Sequence, residues 1–505
     1  MLKKLKIFAV LLTALVATSC LDKEPGSAIP TNKAMKTFDD AEQHLTGIYA
    51  QLKSSSLYSG YLTLLPDIQT DLVYAVDGYS NNMGSFWLWN FRSTSSEIGA
   101  VYASLYRVVN ECNFFLDNVD KVIANETNDD KILALNFYKG EVHAIRALMF
   151  SEVIKCYCKA YDPATAQNEL GIVVNKSFVN PGVAKRKNLY DSYQAVIEDL
   201  DAAMGYLEAD YDTYSSDYVS LAMVYALRAR VALYMQDWDA AIDYSTKVIE
   251  HPNKVFSLSS ASTIYTNNQS FFQYMWSNDL ATEIIWRVGF TPTSYGGALG
   301  NSFLGFTTDY YYYYPDYVPA QWVLDLYSSS DLRYDAYFAS VQTGHTHQLT
   351  WPLLIKYYGN EQFMSGYNIY HVNMPKPFRL AEQYLIRAEA YCRKDNPDYG
   401  KASKDLTTLR QARFANNGGS ISVTKNNYLQ TISDERVREL YMEGFRLQDL
   451  KRWGTMLNGG GFERKPQSHS LKEGSELKIS VDNPLFVWPI PNHEVQAPGS
   501  QVQPN

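Results

Sequence analysis

The chain has 505 residues, 46% of them apolar and 20% charged, which is enough apolar content to bury a large core and too much for a disordered chain. Its net charge of -9, with no basic block beyond the N-terminus, argues against a nucleic-acid partner, which a phosphate backbone would select through a positive footprint. Tyrosine is the compositional outlier, with 40 copies of a side chain favoured where one end of a ring packs and the other meets water or a polar ligand.

The N-terminus carries Lys3, Lys4 and Lys6, an apolar run from Ile7 to Val16, and the small residues Ala17, Thr18 and Ser19 before Cys20. That order predicts a secretory signal peptide over residues 1–19. The apolar run falls short of the about 20 residues that a membrane-spanning helix takes. A cysteine directly after small residues resembles a bacterial lipobox, in which Cys20 is acylated and heads the mature chain, although Ala17 stands where leucine is more usual. The alternative is ordinary cleavage beside a chance cysteine. Residues 20–36, with Pro25, Gly26 and Pro30, read as a flexible tether, and acyl chains on Cys20 would be the membrane anchor.

A helix is predicted over "DDAEQHLTGIYAQLKS" (39–54), followed by an irregular region near 57–98. Within that region "GSFWLWNFR" (84–92) crowds Phe86, Trp87, Trp89 and Phe91 beside Asn90 and Arg92. Sugars present apolar C–H faces and equatorial hydroxyls, so a flat ring can take the face while an amide or guanidinium takes a hydroxyl pair. Trp87, Trp89, Asn90 and Arg92 are therefore candidate carbohydrate-binding residues. Period-two alternation of Trp87, Trp89 and Phe91 would equally place them on the buried side of a strand.

Helices are next expected at "ASLYRVVNECNFFLDNVDKV" (103–122), "GEVHAIRALMFSEVIKCY" (140–157) and "LYDSYQAVIEDLDAAMGYL" (189–207). In 218–252, Ala222, Ala226 and Ala229 recur at helical spacing, and Trp238, Ala241, Ser245 and Val248 form the inner stripe of a second helix that His251-Pro252 stops. Small residues on one helix and an aromatic opening the next is the packing of tetratricopeptide (TPR) repeats. A second copy lies at 378–415, with Ala381, Leu385 and Ala388 on one face and Tyr399 opening the following helix. The two copies are far apart in sequence, so there is no tandem array.

Between the copies lies a second irregular region, 252–378, and long insertions on a rigid scaffold are where binding is commonly built. Its stretch 293–317 combines Gly296, Gly297, Gly300 and Gly305 with Tyr295 and the run Tyr310 to Tyr314. As a strand the run would alternate its rings between two faces, so Tyr295, Tyr311 and Tyr313, or the alternates of the last two, are candidate carbohydrate-binding groups. Trp276, Trp286 and Trp322 read as core. The expected fold is mainly α, TPR-like helix pairs with long irregular loops forming the ligand face.

No HExxH, GxxxxGK[ST], dinucleotide glycine pattern or GxSxG elbow occurs, and His345-Thr346-His347 lacks a partner cluster. No enzyme, cofactor or metal is therefore expected. Cys112, Cys156, Cys158 and Cys392 are too scattered for a disulfide framework and read as buried small hydrophobes.

The stretch "ISDERVRELYMEGFRLQDLKRWG" (432–454) resembles the C-terminal motif of the SusD/RagB-like lipoproteins of the Bacteroidota, through Glu435, Arg436, Glu439, Leu440, Glu443, Gly444, Arg446, Asp449, Leu450, Arg452, Trp453 and Gly454. "YRVVNECN" (106–113), "GEVHAIRALMF" (140–150), "FRLAEQYLIRAEAY" (378–391) and "FVWPIPNHEV" (486–495) match in the same order. The match is thin over 57–98 and 252–378, where the family varies its ligand contacts. The resemblance implies a right-handed superhelix over 37–505 as one domain, lipid-anchored at the outer membrane and exposed at the cell surface. It also implies a glycan ligand, a TonB-dependent, SusC-like transporter as partner, and a binding role for Trp87 and Asn90. A peptide- or protein-binding TPR-like scaffold lipoprotein is the alternative. On a helix Arg436 and Glu439, and Glu443 and Arg446, would pair at i, i+3 and brace the scaffold rather than catalyse.

Overall fold

A computed structural model describes residues 35–307, 312–345, 350–468 and 470–505. Cys20, the signal peptide, Tyr310, Tyr311 and His347 lie outside the described residues.

The frame is helical: α1 (Phe38–Leu52), α2 (Ser96–Asn125), α3 (Asp129–Tyr157), α4 (Leu189–Met204), α5 (Leu221–Met235), α6 (Trp238–Ile249), α7 (Phe271–Asn278), α8 (Leu380–Arg393), α9 (Tyr399–Gln411), α10 (Tyr428–Leu440) and α11 (Arg446–Trp453). Capping starts several of them. The Thr37 hydroxyl accepts from the Asp40 N–H while the Asp40 carboxylate accepts from the Thr37 N–H, and Asn128, Asn188, Ser220 and Asp237 each cap the helix that follows. Gln236, in the left-handed region, ends α5, and Asp237 at once caps α6.

The small-residue stripes are what let the helices approach. Ala222, Ala226 and Ala229 of α5 are fully buried, as are Ala241, Ser245 and Val248 of α6. The two copies separated in sequence are neighbours in space: Ile386 and Ala390 of α8 close a small core with Ala229, Ala232, Leu233 and Ala241. A continuous core runs from Met35 to Val502 and takes in Cys112, Cys156, Cys158 and Cys392, all buried free thiols. Burial pushes the Cys158 thiol up to about 11, so it stays protonated and inert.

The regions between helices contribute short antiparallel ladders: β1 (Val73–Ala75), β2 (Ile264–Thr266), β3 (Gln269–Ser270), β4 (Ile284–Trp286), β5 (Phe306–Thr307), β6 (Tyr312–Tyr313), β7 (Tyr317–Pro319), β8 (Phe338–Gln342), β9 (Thr350–Leu354) and β10 (Phe378–Arg379). β1 pairs with β7, joining the two irregular regions through Val73↔Pro319 and Ala75↔Tyr317. β10 pairs with β4, which ties the second region to the start of α8.

The expected i, i+3 ion pairs of the 432–454 motif are not the ones formed. α10 ends at Leu440, and Gly444 turns the chain at φ +84°, where a Cβ would lie 2.6 Å from the Leu62 carbonyl oxygen. Glu443 and Arg446 therefore do not share a helix. Arg446 instead forks onto Asp71 at 3.0 and 2.9 Å, and Arg436 bonds Asp449 at 2.6 Å. Glu439 accepts from Arg333, Arg379 and Arg413, Glu435 from Arg333, Arg410 and Arg438, and Glu443 from Arg379 and Lys356. The carboxylates do brace the scaffold, as a buried network that joins 435–443 to 331–356, 379 and 413 and includes one i, i+3 helix pair, Glu435 with Arg438.

Candidate functional site

The largest departure from expectation is at 84–92. The segment forms a four-residue helix, Gly84–Trp87, followed by a turn in which Trp89 takes a φ of +54°, and its rings point inward. Trp87 is fully buried under the Arg464 guanidinium, 3.3 Å from its ring centroid, with Tyr74 and Tyr317 at its edges. Trp89 packs on Phe462 and Phe486 and donates its indole N–H to the Gln69 carbonyl. Neither tryptophan offers a free face, so the expectation that they stack on sugar is corrected: Phe462, Arg464 and Phe486 cover them. Asn90 and Arg92 are exposed, but the rings that would accompany them face the core. Tyr295 is exposed on a turn beside Ser294, whose backbone carbonyl and hydroxyl both accept from Lys53.

Tyr313 is the candidate that meets a cavity. Gly305, at φ +43°, turns the chain into the β5–β6 hairpin, and a Cβ there would lie 2.3 Å from the Tyr314 carbonyl oxygen. The hairpin sets Phe306 directly opposite Tyr313, ring centroids 5.1 Å apart, and Tyr313 lines a cavity of about 420 Å³. The facing wall is α7, whose entry is set by a capping box: the Ser270 hydroxyl accepts from the Gln273 N–H at 3.2 Å, and the Gln273 amide oxygen accepts from the Ser270 N–H at 2.9 Å. That box turns Gln273, Trp276 and Ser277 to the cavity, and Ala339, Val341 and Ile355 of the β8–β9 region give it an apolar floor.

The polar groups converge at its rim. The Tyr313 and Tyr358 hydroxyls lie 3.3 Å apart. The Gln269 amide donates to Glu361 at 2.7 Å and accepts from the Ser277 hydroxyl at 2.9 Å. Tyr358 is 44% exposed, so its ring is open to a ligand, while Phe306, 40% exposed, packs on the Tyr313 ring. Burial, and then the neighbouring Tyr358, pushes the Tyr313 phenol far above its ordinary value, which keeps it a neutral donor and acceptor at any physiological pH. The arrangement combines flat rings, hydroxyls, amides and the carboxylates of Asp335 and Glu361, and among the described residues it shows no nucleophile hydrogen-bonded to a base. Among the described residues no cluster of three or more His, Cys, Asp or Glu is set to hold a metal ion.

Phe306, Tyr358, Gln269, Ser277 and Glu361 were not anticipated from sequence. Each lies within the irregular region 252–378, and Tyr357-Tyr358-Gly359 is an aromatic-glycine signal of the kind seen at 293–317. Of that pair Tyr357 is buried and Tyr358 is exposed, a choice made by packing.

A sequence model described as the SusD family matches residues 303–505, and one described as "Starch-binding associating with outer membrane" matches residues 20–233. The chain belongs to the SusD/RagB-like family. A SusD-like protein of Formosa agariphila is 22% identical over 499 residues, 87% of each chain. The starch-binding protein SusD of Bacteroides thetaiotaomicron is 34% identical over 118 residues, 23% of this chain and 19% of that one. A SusD superfamily crystal structure from B. thetaiotaomicron superposes with a TM-score of 0.76 at 21% identity, over 93% of this chain and 99% of the other. A surface glycan-binding protein A from Bacteroides fluxus superposes at 0.69 and 19% identity, over 93% and 99%. These SusD-like folds are TPR-like and mainly helical, as the Ala-striped helix pairs predict. The SusD family match spans β6, the β8–β9 ladder and the buried Glu435–Glu439–Glu443 network, but α7 lies outside both matched segments.

Proposed function

We propose that this SusD-like chain is a cell-surface glycan-capture lipoprotein. It would be held at the outer membrane by acyl chains on Cys20 and would pass oligo- or polysaccharide to a TonB-dependent, SusC-like transporter without breaking a bond. The observation that carries the reading is the open cavity between α7 and the β5–β6 hairpin, where Tyr358 exposes its ring beside the Tyr313 hydroxyl and the Gln269 amide. Family membership supports it, as do the starch- and glycan-binding names of the relatives. Rings would stack on sugar C–H faces while hydroxyls and amide fix orientation. By analogy with base stacking, each stacked ring is worth about 1–3 kcal/mol.

The test is titration calorimetry against soluble neutral α-glucan, β-glucan, mannan and xylan, comparing the native chain with Tyr358→Ala. Loss of about 1–3 kcal/mol corresponds to a roughly 5- to 140-fold weaker Kd. Equal affinity of the two proteins for a glycan that the native chain binds would remove the cavity from the reading. Retention of peptides with indifference to every glycan would favour a peptide-binding scaffold.

A further inference from the structure

Helix α7 has a second face. Gln273, Trp276 and Ser277 line the cavity above, whereas Phe271 and Tyr274, three residues apart and so on one side of the helix, line a separate groove of about 470 Å³. The β2–β3 hairpin that leads into α7 brings Tyr265 against both, with ring centroids 4.7 Å from Phe271 and 4.8 Å from Tyr274. Tyr265 is 52% exposed, Phe271 40%, and Tyr214 across the groove 46%, so three rings keep open faces. Three open rings on one groove are a recognition surface rather than scattered surface apolars.

The rest of the lining says what those rings would meet. Its polar side chains are hydroxyls, arranged in pairs: Ser257 and Thr282 oxygens lie 2.8 Å apart, and the Ser260 hydroxyl donates to Thr263 at 2.9 Å. Among the described residues no charged side chain lines the groove. A carboxylate or phosphate ligand would find no cation there, and a purely apolar one would leave the hydroxyls unmatched. Vicinal sugar hydroxyls, each donor and acceptor, match paired Ser and Thr oxygens, and pyranose C–H faces match the rings. The groove is also rigidly backed, since the Ser259 N–H donates to Glu283 at 2.8 Å and Glu283 is held by Arg379 and Arg413.

We propose that the groove formed by Tyr265, Phe271, Tyr274 and Tyr214 is a second carbohydrate site, taking neutral hexopyranose units. One polysaccharide molecule then engages both sides of α7 at once. The bivalent part rests on the glycan reading of the first cavity; the site itself does not. The two sites are separated by one helix, about 10–12 Å across with its side chains. A long chain therefore rebinds at high effective concentration and is held more tightly than a short oligomer.

The experiment pairs Tyr265→Ala with Tyr358→Ala, both exposed side chains whose loss leaves the thermal midpoint in place as a folding control. Each protein is run in native gels containing the same soluble α-glucan, β-glucan, mannan or, as the acidic probe, polygalacturonate, and is titrated with the matching trisaccharide. The expected results are two trisaccharides per native chain, one for each single variant, and at least tenfold weaker polysaccharide retention for Tyr265→Ala. One trisaccharide per native chain with unchanged retention in Tyr265→Ala overturns the second site and leaves the first standing. Unchanged binding in Tyr358→Ala with loss in Tyr265→Ala overturns the first cavity's assignment and the bivalency but upholds the groove. Retention of an acidic polysaccharide alone, or of none of these glycans, overturns the groove's assignment to neutral sugar.

Discussion

Glu439→Gln removes a carboxylate that three buried guanidiniums share. Its Oε1 accepts from Arg379 at 3.0 Å and Arg413 at 2.9 Å, and its Oε2 accepts from Arg333 at 3.1 Å and from Arg413 Nε at 3.0 Å. Glu439, Arg333 and Arg413 are fully buried and Arg379 is 1% exposed, so water cannot replace what is lost. Burial alone would raise the Glu439 pKa; the Arg413, Arg379 and Arg333 charges override it and hold the carboxyl well below its usual range. Glutamine keeps one acceptor oxygen but turns an NH₂ toward two N–H donors and leaves the cluster short of one negative charge. Breaking a buried ion pair from one side costs about 3–5 kcal/mol. That is a large fraction of the about 5–15 kcal/mol by which a typical domain is stable. Urea unfolding at pH 7, followed by far-UV circular dichroism and tryptophan fluorescence, should show a midpoint lowered accordingly, with glycan affinity of the folded protein unchanged. A loss below about 1 kcal/mol would refute the reading that this carboxylate supports the frame.

Trp87→Ala should destabilise by about 3–5 kcal/mol, as large-to-small changes at buried aromatics do, and leave glycan affinity intact; lost binding at unchanged stability would return Trp87 to the binding surface. The chain should also lose stability in acid. Burial opposes the shift, but Arg333 beside Glu435, Arg452 beside Glu389, and His143 with Arg146 beside Asp199 each hold a carboxyl down at about 2. These folded pKa values lie below the ordinary 4.5 of Glu and 3.8 of Asp, so the stability they contribute is full above that range and is lost as pH falls toward 2. Burial lifts Asp67 to about 7, which acts in the opposite sense between pH 3.8 and 7. The clean window is therefore below pH 3.8, and a urea midpoint that stays flat from there to pH 2.5 would contradict the assignment.

The helical frame was legible because its determinants are local. Alanine spacing at 222, 226 and 229, caps at Ser220 and Asp237, and the stop at His251-Pro252 all act within a turn or two of chain. The 432–454 motif was legible as a bracing element, yet its partners were misassigned. Helical spacing suggests Glu439 with Arg436 and Glu443 with Arg446, whereas tertiary packing gives Glu439 to Arg333, Arg379 and Arg413 and Arg436 to Asp449, and the break after Leu440 takes Glu443 out of any helix shared with Arg446. The cavity proposed as the ligand site lies within 252–378, one of the two irregular regions that composition singles out, and its lining includes Tyr313 of the sequence candidates and Tyr358, which no sequence signal separates from Tyr357. Trp87 and Tyr358 are both aromatics in irregular segments beside polar residues, and only the cover supplied by Arg464, Phe462 and Phe486 separates core from surface.

Composition, helical periodicity and family motifs by themselves determined that this chain is a mainly helical, TPR-like member of the SusD/RagB-like family. Tertiary structure alone decided which aromatics meet solvent. Exposure depends on what packs over a ring from hundreds of residues away, as Phe462, Arg464 and Phe486 do over Trp87 and Trp89, and strand or helix periodicity carries no record of that cover.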